Sequence, residues 1–272
     1  MLRTLPFNRL SMGIQTFNES ILKVLQRRHT ARQAIEAFQN CRAAGFQNIS
    51  IDLMYGLPGE TLSTWQQDLD QALLLHPEHL SAYHLIYEED TVLWKLREQH
   101  KVEEADEDLS VSLFSTLIDR LTSEGYDHYE ISNFSLPGLY SRHNSSYWTE
   151  KKYLGCGPSA HSYNGVSRQW NVASLDTYIK GISAGTPVFE IEELDLYTRY
   201  NDFVITRIRT EWGMPLSKLR DEFGEKLYDY CLRMAAPHLK QGTLELVNDI
   251  LKLTRKGIFI SDGIMSDMLW TD

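Results

Sequence analysis

Short runs of consecutive apolar residues alternate with amphipathic stripes over the first two-thirds of the chain. Arg9 to Ile14 reads as a short strand after Pro6. Asn18 is placed to cap a helix running to about Arg27, with Phe17 and Leu22 set to form a hydrophobic staple across its first turn. Ala34, Ile35, Phe38 and Cys41 make one stripe of a second helix over 31–44, and Gly45 suits the position that ends it. Asn48 to Met54 is a buried strand followed by the loop Tyr55-Gly56-Leu57-Pro58-Gly59. Thr61 then caps a helix whose stripe is Leu62, Trp65, Leu69, Ala72 and Leu73. Leu80 to Ile86 is the next buried strand. A helix over 109–124 carries Leu113, Phe114, Leu117, Ile118 and Leu121, and the acidic run Glu103 to Asp108 fits its solvated start. Tyr129 to Phe134 is a further short strand.

This βα alternation predicts parallel strands joined by helical crossovers, in a doubly wound sheet or a β/α barrel. Barrel chemistry sits at the C-terminal ends of strands. Here those ends carry Gln15, Tyr55 with Gly56, and Tyr87-Glu88-Glu89, a placement that a barrel explains better. The strands visible are too few to close one. From about Glu192 the pattern changes. Helices are expected over Thr198–Thr210 and Pro215–Lys240, then Leu244–Val247 and Ile250–Leu253 flanking Asn248-Asp249 as a two-residue hairpin, then a closing helix over 255–269. Helices followed by a small hairpin suggest a winged-helix-like module. Leu2-Arg3-Thr4-Leu5 reads as the tail of a helix running straight into a strand, so the chain is expected to lack an N-terminal part of its first domain.

Composition narrows the function classes. The chain has 272 residues, 42% hydrophobic and 24% charged, which suits one large or two smaller globular domains. A net charge of −10 argues against a general phosphate-binding surface, and no nucleic-acid partner is expected. Neither an apolar run of about 18 residues nor a basic-then-apolar leader is present, so the expected location is the cytoplasm. Cys41 and Cys231 lie on helical stripes and are expected to be packing thiols; Cys156 stands between two glycines. No two cysteines are at metal-ligand spacing.

One stretch departs from both rhythms. It reads His143-Asn144-Ser145-Ser146-Tyr147-Trp148 and, after a short gap, Tyr153-Leu154-Gly155-Cys156-Gly157-Pro158-Ser159-Ala160-His161. Imidazoles, amides, hydroxyls, an indole and phenols sit beside a glycine turn, a mixture expected of a loop that holds a planar, partly apolar, metal-containing ligand. His161 is expected to be structural.

Four further blocks carry a resemblance. They are Asn8–Gln15, Asp52–Thr61, His79–Tyr83 and Tyr129–Phe134, with the His143–Trp148 block and the glycine turn following in order. Together they resemble the radical S-adenosylmethionine family of oxygen-independent coproporphyrinogen III oxidases, most closely its haem-chaperone branch, HemW. The resemblance implies an α/β fold, the C-terminal part of a partial (β/α)₆ barrel, followed by the small helical, winged-helix-like module. It places the incomplete barrel and its extension at 1–190 and the module at 191–272. It implies S-adenosylmethionine and a [4Fe–4S] cluster as cofactors, and it begins at about the fourth barrel strand. The CxxxCxxC loop that holds the family's cluster is not in this sequence, so no metal ligands are assigned and no radical chemistry is expected of this chain alone.

By the same resemblance, Gln15 is expected to hydrogen-bond S-adenosylmethionine, and Arg27 to lie near its methionine carboxylate, which suits a guanidinium fork. Asp52 is expected near the nucleoside, where a carboxylate accepts ribose hydroxyls, and Ile86 near the adenine. Asp52 stands out independently, because a carboxylate between Ile51 and Leu53 is costly to bury without partners. His143 belongs to the His-Asn-x-x-Tyr-Trp pattern of the haem-chaperone branch and is a candidate haem ligand. Equally, His143, Asn144 and Trp148 could stitch their segment to the fold. The implied function is binding haem and delivering it to acceptor proteins. The alternative is a coproporphyrinogen III oxidase acting on a porphyrinogen, and a homodimer is a possible assembly.

Overall fold

The structure is a computed structural model that describes residues 5–271. The expected helix tail at Leu2-Arg3-Thr4 lies outside the described residues. The chain divides into two compact units, Met1–Ser141 and Arg142–Asp272.

The first unit is a five-stranded sheet in the order β1-β2-β3-β5-β4, with helices packed on it. Strands β1 (Leu10–Gln15), β2 (Ile49–Tyr55) and β3 (His79–His84) are parallel. Helix α1 (Glu19–Val24) and helix α2 (Ala31–Ala43) join β1 to β2, and α3 (Leu62–Leu74) joins β2 to β3. The caps fall where the sequence put them. Asn18 accepts from the amides of Ser20 and Ile21, and Thr61 accepts from Thr64. Helix α1 stops earlier than expected. Gln26 turns left-handed, at φ 53°, and the amides of Gln26 and Arg27 bond back to Lys23 and Leu22, a Schellman closure that leaves Arg27 beyond the helix.

Alternation along β2 sorts the side chains. Ile49, Ile51, Leu53 and Tyr55 are buried, as are Trp65 and Leu69 of α3 and Phe38 of α2. Helix α5 (Glu107–Ser123) adds Leu113, Phe114, Leu117, Ile118 and Leu121, all buried as expected. The Trp65 indole N–H donates to the Leu113 carbonyl at 3.0 Å. Asp106 caps α5, with Glu107 and Asp108 in its first turn, so the acidic run is a helix start. A helix that the apolar pattern did not reveal, α4 (Val92–Glu98), begins at a Thr91 cap. Its Leu93 and Trp94 pack on Ile21, Leu57, Leu85 and Tyr87.

Two expectations are corrected here. Strand β3 ends at His84, so Ile86 lies beyond it with 71% of its surface exposed. The strand expected over Tyr129–Phe134 is a hairpin, β4 (Asp127–Glu130) and β5 (Asn133–Ser135), turning at Ile131-Ser132. Strand β5 runs antiparallel to β3, with Ser81 opposite Asn133.

The second unit opens with α6 (Arg142–Trp148). A three-stranded antiparallel sheet follows, β6 (His161–Tyr163), β7 (Ser167–Asn171) and β8 (Phe189–Glu193), with α7 (Leu175–Ser183) between the last two. Then come α8 (Leu196–Ile208), β9 (Met214–Pro215) and α9 (Leu216–Gln241). Helix α9 is broken at Gly224, where φ is 81°, so it is two helices end to end. Leu216, Leu219, Phe223, Leu227 and Cys231 are all buried, and burial pushes the Cys231 thiol up to about 12. Cys41 is only half-buried.

Strands β10 (Leu244–Val247) and β11 (Ile250–Leu253) form the expected hairpin and join β9 in a small sheet, as in a winged helix. The closing segment is two helices, α10 (Arg255–Ile258) and α11 (Ser261–Met268), instead of one. Asn248 and Asp249 have φ 49° and 70°, the signature of a type I′ turn. An Asn248→Val substitution is therefore expected to cost about 1–2 kcal/mol, because a β-branched residue tolerates that region poorly. Urea unfolding would measure it, with Asn248→Gly expected to be near neutral. No helix among the described residues is long and apolar enough to cross a membrane.

Candidate functional site

The face of the first sheet opposite the helices is polar, and register places its residues in rows. Ser50 lies opposite His79, and Asp52 lies opposite Ser81 on one side and Gly13 on the other. In the first row His79 is buried. Its Nδ1 shares a 2.8 Å hydrogen bond with Ser50 Oγ, and its Nε2 a 2.6 Å bond with the Tyr129 hydroxyl. Burial, reinforced by the Arg9 charge, lowers the His79 pKa to about 3, so the imidazole is neutral and relays between two hydroxyls. In the second row Ser11 Oγ approaches Asp52 at 3.4 Å, and Ser81 donates to Asn133, which donates to Glu130.

Asp52 is half-buried. Burial raises its pKa above the ordinary carboxylate value, against the opposing pull of the neighbouring Ser81 and Ser11 hydroxyls and of the Arg9 charge. Gln15 ends β1 at φ 73°, and its side chain folds back over Gly13, the register partner of Asp52. The carboxamide and the carboxylate therefore belong to adjoining positions on one face. Arg27 is exposed beyond α1 and Ile86 is exposed beyond β3. Arg9, which sequence reasoning passed over, keeps Nε and Nη2 buried without hydrogen-bond partners. Cross-strand register, which sets His79 opposite Ser50, is the signal that points to His79.

Two buried carboxylates hold the loops at the ends of β1 and β2. Asp68 of α3 accepts from the Thr16 hydroxyl and from the Phe17 amide at 2.9 Å. Glu60 accepts from the amides of Gly56 and Leu57 at 2.6 and 3.2 Å. Burial raises Glu60 to about 7, offset in part by those two amides and reinforced by the Asp68 charge.

In the second unit the His143 block is helical, contrary to the loop expected. Polar contacts close it without an apolar stripe. Ser146 Oγ donates to the His143 carbonyl at 2.6 Å and Thr149 Oγ1 to the Ser145 carbonyl at 2.8 Å. His143 is exposed. Its Nε2 and the Tyr147 hydroxyl, one turn on, share a 3.2 Å hydrogen bond, with the rings edge to face at 5.1 Å. Tyr147 meets Tyr153 at 5.0 Å, and Tyr153 meets Tyr163 at 6.1 Å. These phenols, Trp148 and Arg168 line a cavity of about 170 Å³. The Arg209 guanidinium lies 4.2 Å over Trp148, whose buried indole nitrogen has no hydrogen-bond partner. Beneath, burial would raise Glu150, but hydrogen bonds from Lys218 at 2.8 Å and Arg207 at 2.9 Å prevail and leave it below its ordinary value.

Cys156 is exposed, and no group of three or more His, Cys, Asp or Glu side chains that could hold a metal occurs among the described residues. The residues present do not fit an iron–sulfur cluster.

This architecture is that of a radical SAM protein with a HemN-type C-terminal module. The Radical SAM superfamily matches residues 1–72 and the HemN C-terminal domain residues 194–260. The structure of Escherichia coli coproporphyrinogen III oxidase HemN, described as a radical SAM enzyme, superposes with a TM-score of 0.79 at 22% identity. That match covers 98% of this chain and 65% of that one, so the chain spans under two-thirds of its length. Among characterised sequences, heme chaperone HemW of Lactococcus lactis is 31% identical over 97% of this chain and 70% of its own. Heme chaperone HemW of Bacillus subtilis is 29% identical over 99% of this chain and 71% of its own. The chain belongs to the HemW heme-chaperone family.

Proposed function

We propose that the chain acts as a haem chaperone, binding haem through His143 and passing it to acceptor proteins in the cytoplasm. The observation that carries this reading is the exposed His143 imidazole, oriented by Tyr147 at the head of a run of aromatic rings. An imidazole held by a second group at its own ring nitrogen is a common arrangement for an iron ligand, since the partner fixes the ring's orientation. Here iron at Nδ1 would leave the Tyr147 bond intact, whereas iron at Nε2 would displace it.

S-adenosylmethionine fits the polar face of the first unit. Asp52 offers acceptor oxygens to ribose hydroxyls, Gln15 a donor and an acceptor beside it, and the orphaned N–H groups of Arg9 a place for an acceptor oxygen. Arg27 and Ile86 would join by contacts to the methionine carboxylate and the adenine. The cofactor, when bound, supplies sulfonium chemistry, and these residues supply its grip. No step is assigned to a cluster.

In this reading residues 1–190 are the barrel part with its extension, and 191–272 the terminal module. Lys252 is occupied by Glu245 at 3.3 Å, and no nucleic-acid role is assigned to the hairpin.

Hemin titration followed in the Soret band tests the proposal. His143→Ala is expected to weaken binding roughly tenfold, the loss of about 1.4 kcal/mol. A chain that gives no Soret shift, or a titration unchanged by His143→Ala, would remove His143 as the ligand.

A further inference from the structure

We propose that His161 is a second iron-ligating imidazole, set on the same aromatic face as His143, and that the cleft beside it takes the edge of a flat, metal-bearing macrocycle. This rests on the haem-chaperone reading above and names a position that reading does not contain.

Register supplies the first argument. In the β6–β7 pair His161 lies opposite Trp170 and Tyr163 opposite Arg168. Residues two apart on a strand share a face, at a spacing of about 7 Å. His161 therefore shares a strand face with Tyr163, the last ring of the series that begins at His143 and passes through Tyr147 and Tyr153. Tyr153 is locked to Tyr163 by reciprocal backbone hydrogen bonds of 3.0 and 2.9 Å, so the series has a fixed spacing at its centre.

The second argument is orientation. The His161 ring stacks on Trp170, centroids 5.9 Å apart at 29°. Such a stack covers one face of the imidazole and leaves the nitrogens at the ring edge open. Iron is ligated through an edge nitrogen, with the macrocycle lying across the end of the ring. Trp170 thus fixes the ring without blocking it, and His161 is exposed.

The third argument is the cleft, of about 350 Å³, walled by Val172, Val188 and Phe189 beside the His161–Trp170 stack. That is the lower end of the range for ligand sites, enough for one apolar edge of a tetrapyrrole. A site that leaves most of the macrocycle in water suits a protein that must give it up. Glu190 on the rim repels carboxylates, which turns the acidic edge of the macrocycle outward. The floor is braced: buried Asn171 donates to the carbonyls of Gly155 and Gly157 at 3.3 and 3.0 Å, and the Gly157 amide donates to the Tyr178 hydroxyl at 3.0 Å.

The test is a hemin titration of the full chain, read in the Soret band and by electron paramagnetic resonance. The variants are His143→Ala, His161→Phe, His161→Gln and His143→Ala with His161→Phe, each checked for folding by circular dichroism. Phenylalanine keeps a flat ring on Trp170 and removes only the nitrogens. His143→Ala is expected to bind roughly tenfold more weakly while retaining an imidazole-ligated spectrum, and the double variant is expected to lose that spectrum. Loss of the imidazole signature in His143→Ala alone overturns the role of His161 and leaves His143 standing; its persistence in the double variant points to another imidazole and overturns both ligand assignments. Absence of hemin binding by the unsubstituted chain overturns the haem-chaperone reading itself, and this inference with it.

Discussion

Replacing Glu60 by glutamine is expected to raise thermal stability near pH 8 and to flatten its dependence on pH. Glu60 is 5% exposed, and one of its oxygens accepts from the amides of Gly56 and Leu57. Burial lifts its pKa from 4.5 to about 7. The folded state therefore holds this proton more tightly than the unfolded state does. The stabilisation is complete below pH 4.5, declines as pH rises, and is gone above about 7. The lost contribution is roughly 3 kcal/mol, from about 1.4 kcal/mol per pKa unit. Asp52 and Asp68 are also raised by burial and contribute with the same sign, so the difference between wild type and Glu60→Gln isolates Glu60. Glutamine keeps an acceptor for both amides and carries no charge to bury. Alanine would leave two buried N–H groups unpaired and is expected to destabilise at every pH, by about 1–3 kcal/mol for each group. Calorimetric melting between about pH 5 and pH 8 measures all three proteins. A Glu60→Gln profile parallel to the wild-type profile would remove Glu60 as the titrating group.

What the chain reveals before folding depends on how local the information is. The stripes of α2, α3, α5 and α9 are legible because burial repeats at helical spacing, and Asn18, Thr61 and Asn248-Asp249 because caps and tight turns select their residues locally. The segment from 142 to 193 is not. Helix α6 has no buried residue, and β6 is three residues long with no fully buried position, so neither period has room to show. Arg27 and Ile86 were placed on elements that stop short of them. Nothing in the sequence distinguishes the left-handed Gln26, and His84 is no obvious strand end. Asp52 was visible as a charge among apolar neighbours. His79, Arg9, Glu60 and Asp68 were not, because their partners lie on other elements or, for Glu60, in the backbone of a loop.

The glycine turn that first marked the 143–161 region carries the sharpest expectation about its construction. Three successive positions should respond in three different ways. A Cβ on Gly155 would fall 2.1 Å from the His161 carbonyl oxygen and 2.8 Å from its nitrogen, both backbone atoms. His161 cannot retreat without breaking its pairing with β7, and Gly155 cannot retreat without losing the 2.9 Å bond from its amide to Ser162 Oγ. Gly155→Ala is therefore expected to cost about 3 kcal/mol, the upper end of ordinary overpacking. Gly157 has open space around its Cβ direction but a φ of 117°, so Gly157→Ala meets backbone strain, expected to cost about 1–2 kcal/mol. Cys156 is exposed between them, and Cys156→Ala is expected within about 0.5 kcal/mol of wild type. Urea unfolding of the three variants tests the order. Because Gly155 props the backbone of His161 and flanks the Tyr153–Tyr163 bridge, its alanine variant should also weaken hemin binding while both histidines remain in the sequence. A Gly155→Ala protein that unfolds and binds hemin like wild type would show that the turn does not hold the aromatic face in place.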